Sequence, residues 1–131
     1  GEFVDFDPLT CTPRPDQGAD IPILVGGDTD VAIRRAARLA DGYFPGEGDP
    51  ERLAELITAV GQACEQRDRD PSEVEINAMF GAHMRDPVAG VEIMRDLGVG
   101  RVMVPAFFFG GDGGIDRLRA FGEAAVTPNA S

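Results

Sequence analysis

The chain has 131 residues, of which 23 are acidic and 12 are basic, and its formal net charge is -11. Negative charge spread over the surface repels the phosphates of nucleic acids and of anionic membranes, so neither is an expected partner. The length predicts a single domain over residues 1–131, with a lead-in loop over 1–20 and a frayed tail over 127–131.

The residue types also restrict the chemistry and the compartment. Every basic residue is arginine, which excludes lysine Schiff-base chemistry. Cys11 and Cys64 lie far apart without metal-ligand spacing, and the acidic residues show no paired spacing, so we expect free thiols and no metal site. With no apolar run of ~20 residues and no signal-peptide pattern, the sequence predicts a cytoplasmic protein.

The N-terminal part leads from a loop into a first strand. Residues 1–20 are rich in Pro, Asp and Gly, which predicts a loop, and Phe3 and Phe6 are candidate anchors on a neighbouring surface. The continuous apolar run over residues 21–25 predicts a parallel strand that is covered on both faces.

The helix after this strand has an apolar stripe and a cap. Its apolar residues follow the i, i+3, i+4, i+7 spacing of an amphipathic helix. They are Ile33, Ala36, Ala37 and Ala40. Asp28 or Thr29 can cap the first turn by accepting a backbone N–H. The segment GYF that follows predicts a return strand, which completes a parallel βαβ unit.

The rest of the chain alternates helices and strands in the same way. Asp49 and Pro50 predict the start of a second helix that reaches about residue 67. A strand is predicted over residues 74–80, and a third helix then starts at Asp86 and Pro87 and ends at Gly98. A further strand is predicted over residues 101–105, and a glycine-rich loop leads from it into a last helix. The inward positions predicted for these helices are Leu53, Leu56, Ile57, Val60 and Cys64, then Val88, Val91, Met94 and Leu97, then Ile115, Leu118, Phe121 and Ala125.

Four consecutive strand–helix pairs predict an α/β fold with a parallel sheet and right-handed crossovers. Four such pairs are half of a (β/α)8 TIM barrel, and a full barrel takes about 250 residues. The alternative is a small open doubly wound sheet.

Gly26 and Gly27 lie between the first strand and the first helix. Backbone N–H groups at a helix N-terminus bind anions, so this turn predicts a site for a phosphate-bearing cofactor. The alternative is that the two glycines only close a tight turn and let the helix pack.

Several segments together resemble the C-terminal half of the bacterial luciferase-like oxidoreductases, a family of barrel enzymes that use FMN or a deazaflavin coenzyme. These segments are GEFVDFDPLTCTPRP, IPILVGGDTDVAIRRAARLADGYFP, ERLAELI, DPSEVEI and LGVGRVMVP. The resemblance implies a flavin- or deazaflavin-dependent oxidoreductase or monooxygenase that moves hydride to or from a small organic substrate. The lysine-free composition favours the deazaflavin coenzyme F420 over FMN.

The resemblance also implies where the cofactor phosphate binds. It assigns that role to the backbone of Gly26 and Gly27 and to the hydroxyl of Thr29. Asp28 departs from this pattern, because a carboxylate beside a phosphate costs Coulomb energy unless it points away or caps the helix. The resemblance places the first four strands and most proton-transfer side chains in an N-terminal half outside this sequence, so no residue here is assigned as catalytic.

Two further segments are candidates for a substrate pocket. His83, the only histidine, follows the third strand, and imidazole is a common acid or base near neutral pH. Phe107 opens a triple phenylalanine that is either a substrate wall or a packing plug. A half-barrel also leaves two sheet edges and a sheet face uncovered, which predicts a homodimer. The rival hypothesis is a non-catalytic fragment whose main property is this self-association.

Overall fold

Four parallel strands lie side by side in the order in which they occur in the chain, from β1 at one edge to β4 at the other. The structure is a computed structural model that describes residues 2–10 and 12–129. The strands are β1 (Leu24–Gly26), β2 (Gly42–Phe44), β3 (Glu75–Met79) and β4 (Arg101–Met103). The helices are α1 (Asp30–Leu39), α2 (Pro50–Glu65), α3 (Pro87–Asp96) and α4 (Gly114–Phe121), and a π-helical stretch, Gly122–Val126, continues α4.

A helix follows each strand, and side-chain caps define where three of the helices begin. Thr29, Asp49 and Asp86 accept backbone N–H bonds at the starts of α1, α2 and α3. Each cap satisfies a donor that a helix N-terminus otherwise leaves free. Gly98, in the left-handed region with φ 77°, follows the end of α3 as predicted. In the part of the chain that the structure describes, no helix combines the length and the apolar character needed to cross a membrane.

The helices pack on one face of the sheet, which we call the covered face. The register places Val25 beside Tyr43, Tyr43 beside Ile76, and Ala78 beside Val102. These side chains pack against the apolar stripes of the helices. The buried helix residues include Ile33, Ala36, Ala37, Leu53, Leu56, Val60, Cys64 and Met94. The apolar spacing in α1 and α2 is therefore confirmed as core.

The other face, which we call the open face, has no helix over it within residues 2–10 and 12–129. Leu24 on β1 is 45% exposed and Met103 on β4 is 47% exposed. Glu75 Oε1 and Arg101 Nη2 form an ion pair on this face at 3.5 Å. The prediction that the first strand is covered on both faces is therefore wrong, because the helices pack on one side only.

Sequential strand order with the helices on one side is the arrangement of half a (β/α)8 barrel. A doubly wound sheet instead reverses its strand order at one point and carries helices on both faces. The chain therefore consists of four consecutive βα units with a parallel sheet, as predicted, and the doubly wound alternative is wrong.

The first strand begins later than predicted. Pro22 has no backbone N–H to offer a sheet. The N–H of Ile23 donates to the Asp41 carboxylate at 2.7 Å, and the Ile23 carbonyl accepts from the N–H groups of Asp41 and Gly42. Regular pairing with β2 consequently starts at Leu24.

Three predicted inward positions are wrong. Val88 in α3 and both Ile115 and Leu118 in α4 are at least half exposed. Helix α4 follows the edge strand β4, and its continuation Gly122–Val126 makes the main packing against α3. Because no helix lies beyond α4 in the described chain, its first two turns have little to pack on.

The structure describes the ends of the chain in part, and residues 130 and 131 of the predicted tail lie outside the described residues. Phe3 and Phe6 are exposed, so they do not pack against the described chain, and their role as anchors on a neighbouring surface stays a prediction. Thr127–Asn129 form a single 3-10 turn. Cys64 is a free, buried thiol whose pKa is raised by burial, which confirms the prediction for that residue. Cys11 lies outside the described residues.

Candidate functional site

The turn between β1 and α1 requires glycine at its second position. Gly27 has φ 114°, a region that residues with a Cβ avoid. A Cβ at Gly27 would also come within 3.2 Å of the Ala32 Cβ on the first turn of α1. The glycine therefore allows the backbone to turn directly from the strand into the helix.

Two hydrogen bonds tie this turn to β2. The Gly27 N–H donates to the Phe44 carbonyl at 3.2 Å, and the Tyr43 hydroxyl donates to the Gly27 carbonyl at 2.9 Å. Tyr43 is fully buried, and this burial, together with the negative charge of Asp28, raises the pKa of Tyr43 to about 12. The phenol thus stays neutral and acts as a buried clamp on the turn.

Several backbone donors remain free at the start of α1. Thr29 Oγ1 accepts the Ala32 N–H at 3.3 Å, so the hydroxyl predicted to contact a phosphate is the helix cap. Within the described chain, the N–H groups of Thr29, Asp30 and Val31 have no protein acceptor. Free donors at the positive end of a helix are the feature that binds anions. Since the Gly27 N–H is used by Phe44, the available donors are these three groups and the Asp28 N–H, which also has no acceptor in the described chain.

The carboxylate of Asp28 is held away from the cap position. Its Oδ1 accepts the Gly46 N–H at 2.8 Å, so it fastens the loop after β2 instead of capping α1. That loop holds a second carboxylate, because Glu47 Oε1 accepts the N–H groups of Gly48 and Asp49 at 2.7 and 2.9 Å. These bonds lower the pKa of Glu47. The turn is therefore flanked by fixed negative charge on the β2 side.

His83 lies in the single 3-10 turn Gly81–His83 after β3. Its ring centroid is 5.6 Å from that of Phe80, and its Nε2 is a buried polar atom with no hydrogen-bond partner in the described chain. A Cβ at Gly90 would lie 2.5 Å from the His83 Cβ, so only glycine leaves room for His83 against α3. An orphaned imidazole nitrogen of this kind is unusual in a protein interior and calls for a partner.

The triple phenylalanine divides between solvent and a pocket. Phe107 is 75% exposed, and its ring lies 4.5 Å from that of Phe108. Phe108 and Phe109 line an open pocket of about 430 Å³, and neither His83 nor Phe107 lines it. The two residues predicted for a substrate site are therefore not brought together in that pocket.

The sequence reasoning missed several residues that shape these sites. Tyr43 was assigned only to a strand, although a lone tyrosine in a buried strand needs a partner for its hydroxyl. Arg117 was not singled out, and it lies in the first turn of α4 after a run of glycines. The polar residues Glu75 and Asn77 alternate with apolar ones in β3, and this period of two was the available signal for a second sheet face.

Comparison with known proteins gives a family match over most of the chain. The model of the luciferase-like monooxygenase family matches residues 1–97. An uncharacterized protein of Mycobacterium tuberculosis is 43% identical over 105 residues, which are 79% of this chain and 34% of the relative. The chain thus spans about a third of the length of this mycobacterial relative.

A more distant relative and a solved structure come from Methanopyrus kandleri. The 5,10-methylenetetrahydromethanopterin reductase of that organism is 22% identical over 78 residues, which are 60% of this chain and 22% of the relative. The structure of a coenzyme F420 dependent tetrahydromethanopterin reductase from the same organism superposes with a TM-score of 0.69 and 14% identity. The match covers 100% of this chain and 57% of that one. At this identity the structural likeness supports the fold alone.

Proposed function

The chain belongs to the luciferase-like monooxygenase family, and from that premise we propose that it contributes the cofactor-phosphate site of a flavin- or deazaflavin-dependent oxidoreductase. The cofactor is coenzyme F420 or FMN, and the substrate is a small organic molecule. When bound, such a cofactor supplies hydride transfer. The residues of this chain supply the anchoring of its phosphate.

The observation that carries this proposal is the turn from β1 into α1. The N–H groups of Thr29, Asp30 and Val31 have no acceptor within the described part of the chain. Gly26 and Gly27 carry no side chains that would keep a phosphate from the backbone. The turn also lies at the carboxyl end of a parallel strand, the end at which barrel active sites collect. Residues and location therefore fit a phosphate group.

The charges near the turn oppose part of this binding. Asp28 and Asp30 bring two carboxylates close to the free N–H groups, and repulsion at short range is not fully screened. Because Asp28 is fastened to the Gly46 N–H at 2.8 Å, it approaches a bound phosphate less than a freely rotating carboxylate would. We therefore propose that Asp28 limits the affinity without abolishing it.

On the substrate side we propose that His83 exchanges a proton or hydrogen bond with the substrate, and that Phe107 contacts the substrate separately through its apolar ring. The support is the buried His83 Nε2, which lacks a partner in the described chain and which a substrate polar group would satisfy. The exposure of Phe107 leaves its ring available for contact.

The proposal is tested by fluorescence titration of the full chain with F420 and with FMN, using two matched glycine variants. Gly27→Val introduces a side chain at φ 114° and crowds Ala32, so we expect phosphate-cofactor affinity to fall by about tenfold or more. Gly98→Val imposes similar strain at φ 77° in open space far from the turn, and its affinity should equal the wild type's. Circular dichroism checks that both variants fold.

A third variant tests the same site without straining the backbone. Asp28→Asn removes one negative charge while its side-chain oxygen still accepts from Gly46. We expect affinity for both cofactors to rise. Unchanged affinity in folded Gly27→Val, or weaker binding in Asp28→Asn, would show that the phosphate binds elsewhere.

A further inference from the structure

The open pocket lined by Phe108 and Phe109 lies between the start of α3, the loop after β4, and α4 with its continuation. Its volume is about 430 Å³, within the range of small-molecule sites. It lies beyond β4, whereas the turn at Gly27 follows β1 at the opposite edge of the sheet. The pocket is therefore separate from the proposed phosphate site and can be tested independently of it.

The walls of this pocket are almost entirely apolar. Met84, Phe108, Phe109 and Phe121 are among the lining residues, and the ring centroids of Phe109 and Phe121 lie 5.6 Å apart. Each of these four side chains is half-buried, so the pocket keeps apolar surface in contact with solvent. Burying that surface under a ligand is favourable, because it removes apolar atoms from water.

Arg117 is the one charged residue that lines the pocket. Its guanidinium donates to three backbone carbonyls of the preceding loop, those of Phe108, Gly110 and Asp112. These bonds fix the position of the guanidinium without neutralising its charge. Within residues 2–10 and 12–129, no carboxylate oxygen lies within 4.0 Å of it.

An immobilised, uncompensated cation beside an apolar cavity defines the chemistry of its ligand. We propose that this pocket binds a small carboxylate that has an apolar aryl or alkyl body. The body lies against Phe108, Phe109 and Phe121, and the carboxylate accepts from the guanidinium donors that the backbone leaves free. Arginine is suited to this role because its planar group offers five donors, more than the three carbonyls use.

The negative net charge of the chain limits carboxylate binding to sites with a local positive charge such as that of Arg117. A chain with net charge -11 repels small anions in general, so a carboxylate gains from this pocket only where the local field of Arg117 dominates. A neutral compound with the same body keeps the apolar contacts and loses the charged hydrogen bond. The difference between the two compounds therefore measures the role of Arg117.

The experiment is isothermal titration calorimetry of the full chain with 4-phenylbutyrate and with 4-phenylbutanol. We expect the carboxylate to bind about tenfold or more tightly than the alcohol. Arg117→Met should remove that preference. Arg119→Met is the matched control, since Arg119 is on the same helix, is exposed and pairs with Asp116 instead. It should keep the preference.

A third variant keeps the proposal testable if the loop after β4 loses its structure when Arg117 is replaced. Ala120→Phe fills the pocket but leaves Arg117 and its backbone partners in place, so binding of both compounds should be lost. Equal affinity of the wild type for acid and alcohol would overturn the proposal. So would unchanged binding in Ala120→Phe, or an equal loss in Arg117→Met and Arg119→Met.

Discussion

The two faces of the sheet are built from alternate residues of the same four strands, yet the described helices cover only one of them. On the covered face, Tyr43 is fully buried and its hydroxyl is hydrogen-bonded. Leu24 and Met103 lie on the open face and are nearly half exposed. The same face carries the ion pair between Glu75 and Arg101. Side-chain type alone therefore does not decide burial in this protein.

Apolar residues therefore occur on the exposed face of the sheet as well as on the face that the helices bury. Leu24 on the open face of β1 is 45% exposed, whereas Leu56 of α2, which packs on the covered face, is 2% exposed. Parallel strands carry apolar residues on both faces because both are normally buried. We infer that the open face is an association surface, and the following five predictions test its contrast with the covered face.

The largest effect is expected from truncating a leucine of the covered side. Leu56→Ala should lower the free energy of unfolding by about 2–5 kcal/mol, since it leaves a cavity beneath the sheet. Leu24→Ala on the open face removes the same atoms from a half-exposed site and should cost less than about 1 kcal/mol. Urea denaturation of both variants measures the difference. Equal losses would mean that the open face is also packed in solution.

The next effect concerns assembly. We expect two copies to associate through the open face and the free edges of β1 and β4, because unpaired parallel edges recruit other strands. At physiological salt the Debye length is about 8 Å, which weakens the repulsion between the two negatively charged copies.

Leu24→Glu should weaken this association by about a hundredfold or more, because a symmetric dimer buries the added charge twice. Leu39→Glu is the matched control, since Leu39 is 56% exposed on α1, away from the open face. Analytical ultracentrifugation at micromolar concentrations decides between the outcomes. A monomeric wild type, or equal weakening in both variants, would contradict the proposed dimer.

A smaller effect comes from the hydroxyl of Tyr43. Tyr43→Phe removes the hydrogen bond to the Gly27 carbonyl and should cost about 1 kcal/mol at neutral pH. Urea denaturation measures this loss. A free energy of unfolding unchanged within experimental error would show that the hydroxyl does not hold the glycine turn.

The same hydroxyl predicts a pH dependence. Its pKa is about 12 in the folded chain and about 10 when unfolded, so the unfolded chain releases this proton first. The stabilisation is complete below pH 10 and is lost as the pH rises from about 10 to about 12. The chain contains one tyrosine, so absorbance at 295 nm follows its titration alone. The free energy of unfolding of Tyr43→Phe should not show this fall between pH 10 and pH 12. If the Tyr43 hydroxyl of the folded wild type titrates near pH 10, the proposed hydrogen bond to the Gly27 carbonyl is contradicted.

The smallest effect is expected for the ion pair of the open face. Glu75 and Arg101 are 3.5 Å apart and both reach solvent, so Arg101→Gln should change stability by less than about 1 kcal/mol. Thermal denaturation at low and high salt measures it, and high salt should reduce the difference. A larger, salt-independent loss would indicate that another chain covers this pair.

Much of the fold follows from local patterns in the chain. The spacing of Ile33, Ala36 and Ala37 identified the inner face of α1, and Asp49 with Pro50 identified the start of α2. The strand GYF was predicted with the bounds that the structure gives. These predictions succeeded because periodicity and caps depend on residues only a few positions apart.

The candidate sites could be predicted only in part. The glycine turn was found because a strand, two glycines and a helix follow one another directly. The bond from Asp28 to Gly46 joins residues 18 positions apart, and no local pattern indicates it. The pocket at Arg117 joins α3, α4 and the loop after β4, and its lining likewise depends on how distant segments pack.

The amino-acid sequence by itself determined the order of the elements, the parallel sheet and the glycine turn, because each depends on short-range spacing and backbone freedom. The tertiary structure decided which face of each strand is covered, since alternation in a strand defines two faces without saying which one meets the helices. It also decided the partners of Tyr43, Asp28 and Arg117, because hydrogen bonds between distant segments form only after those segments have packed together.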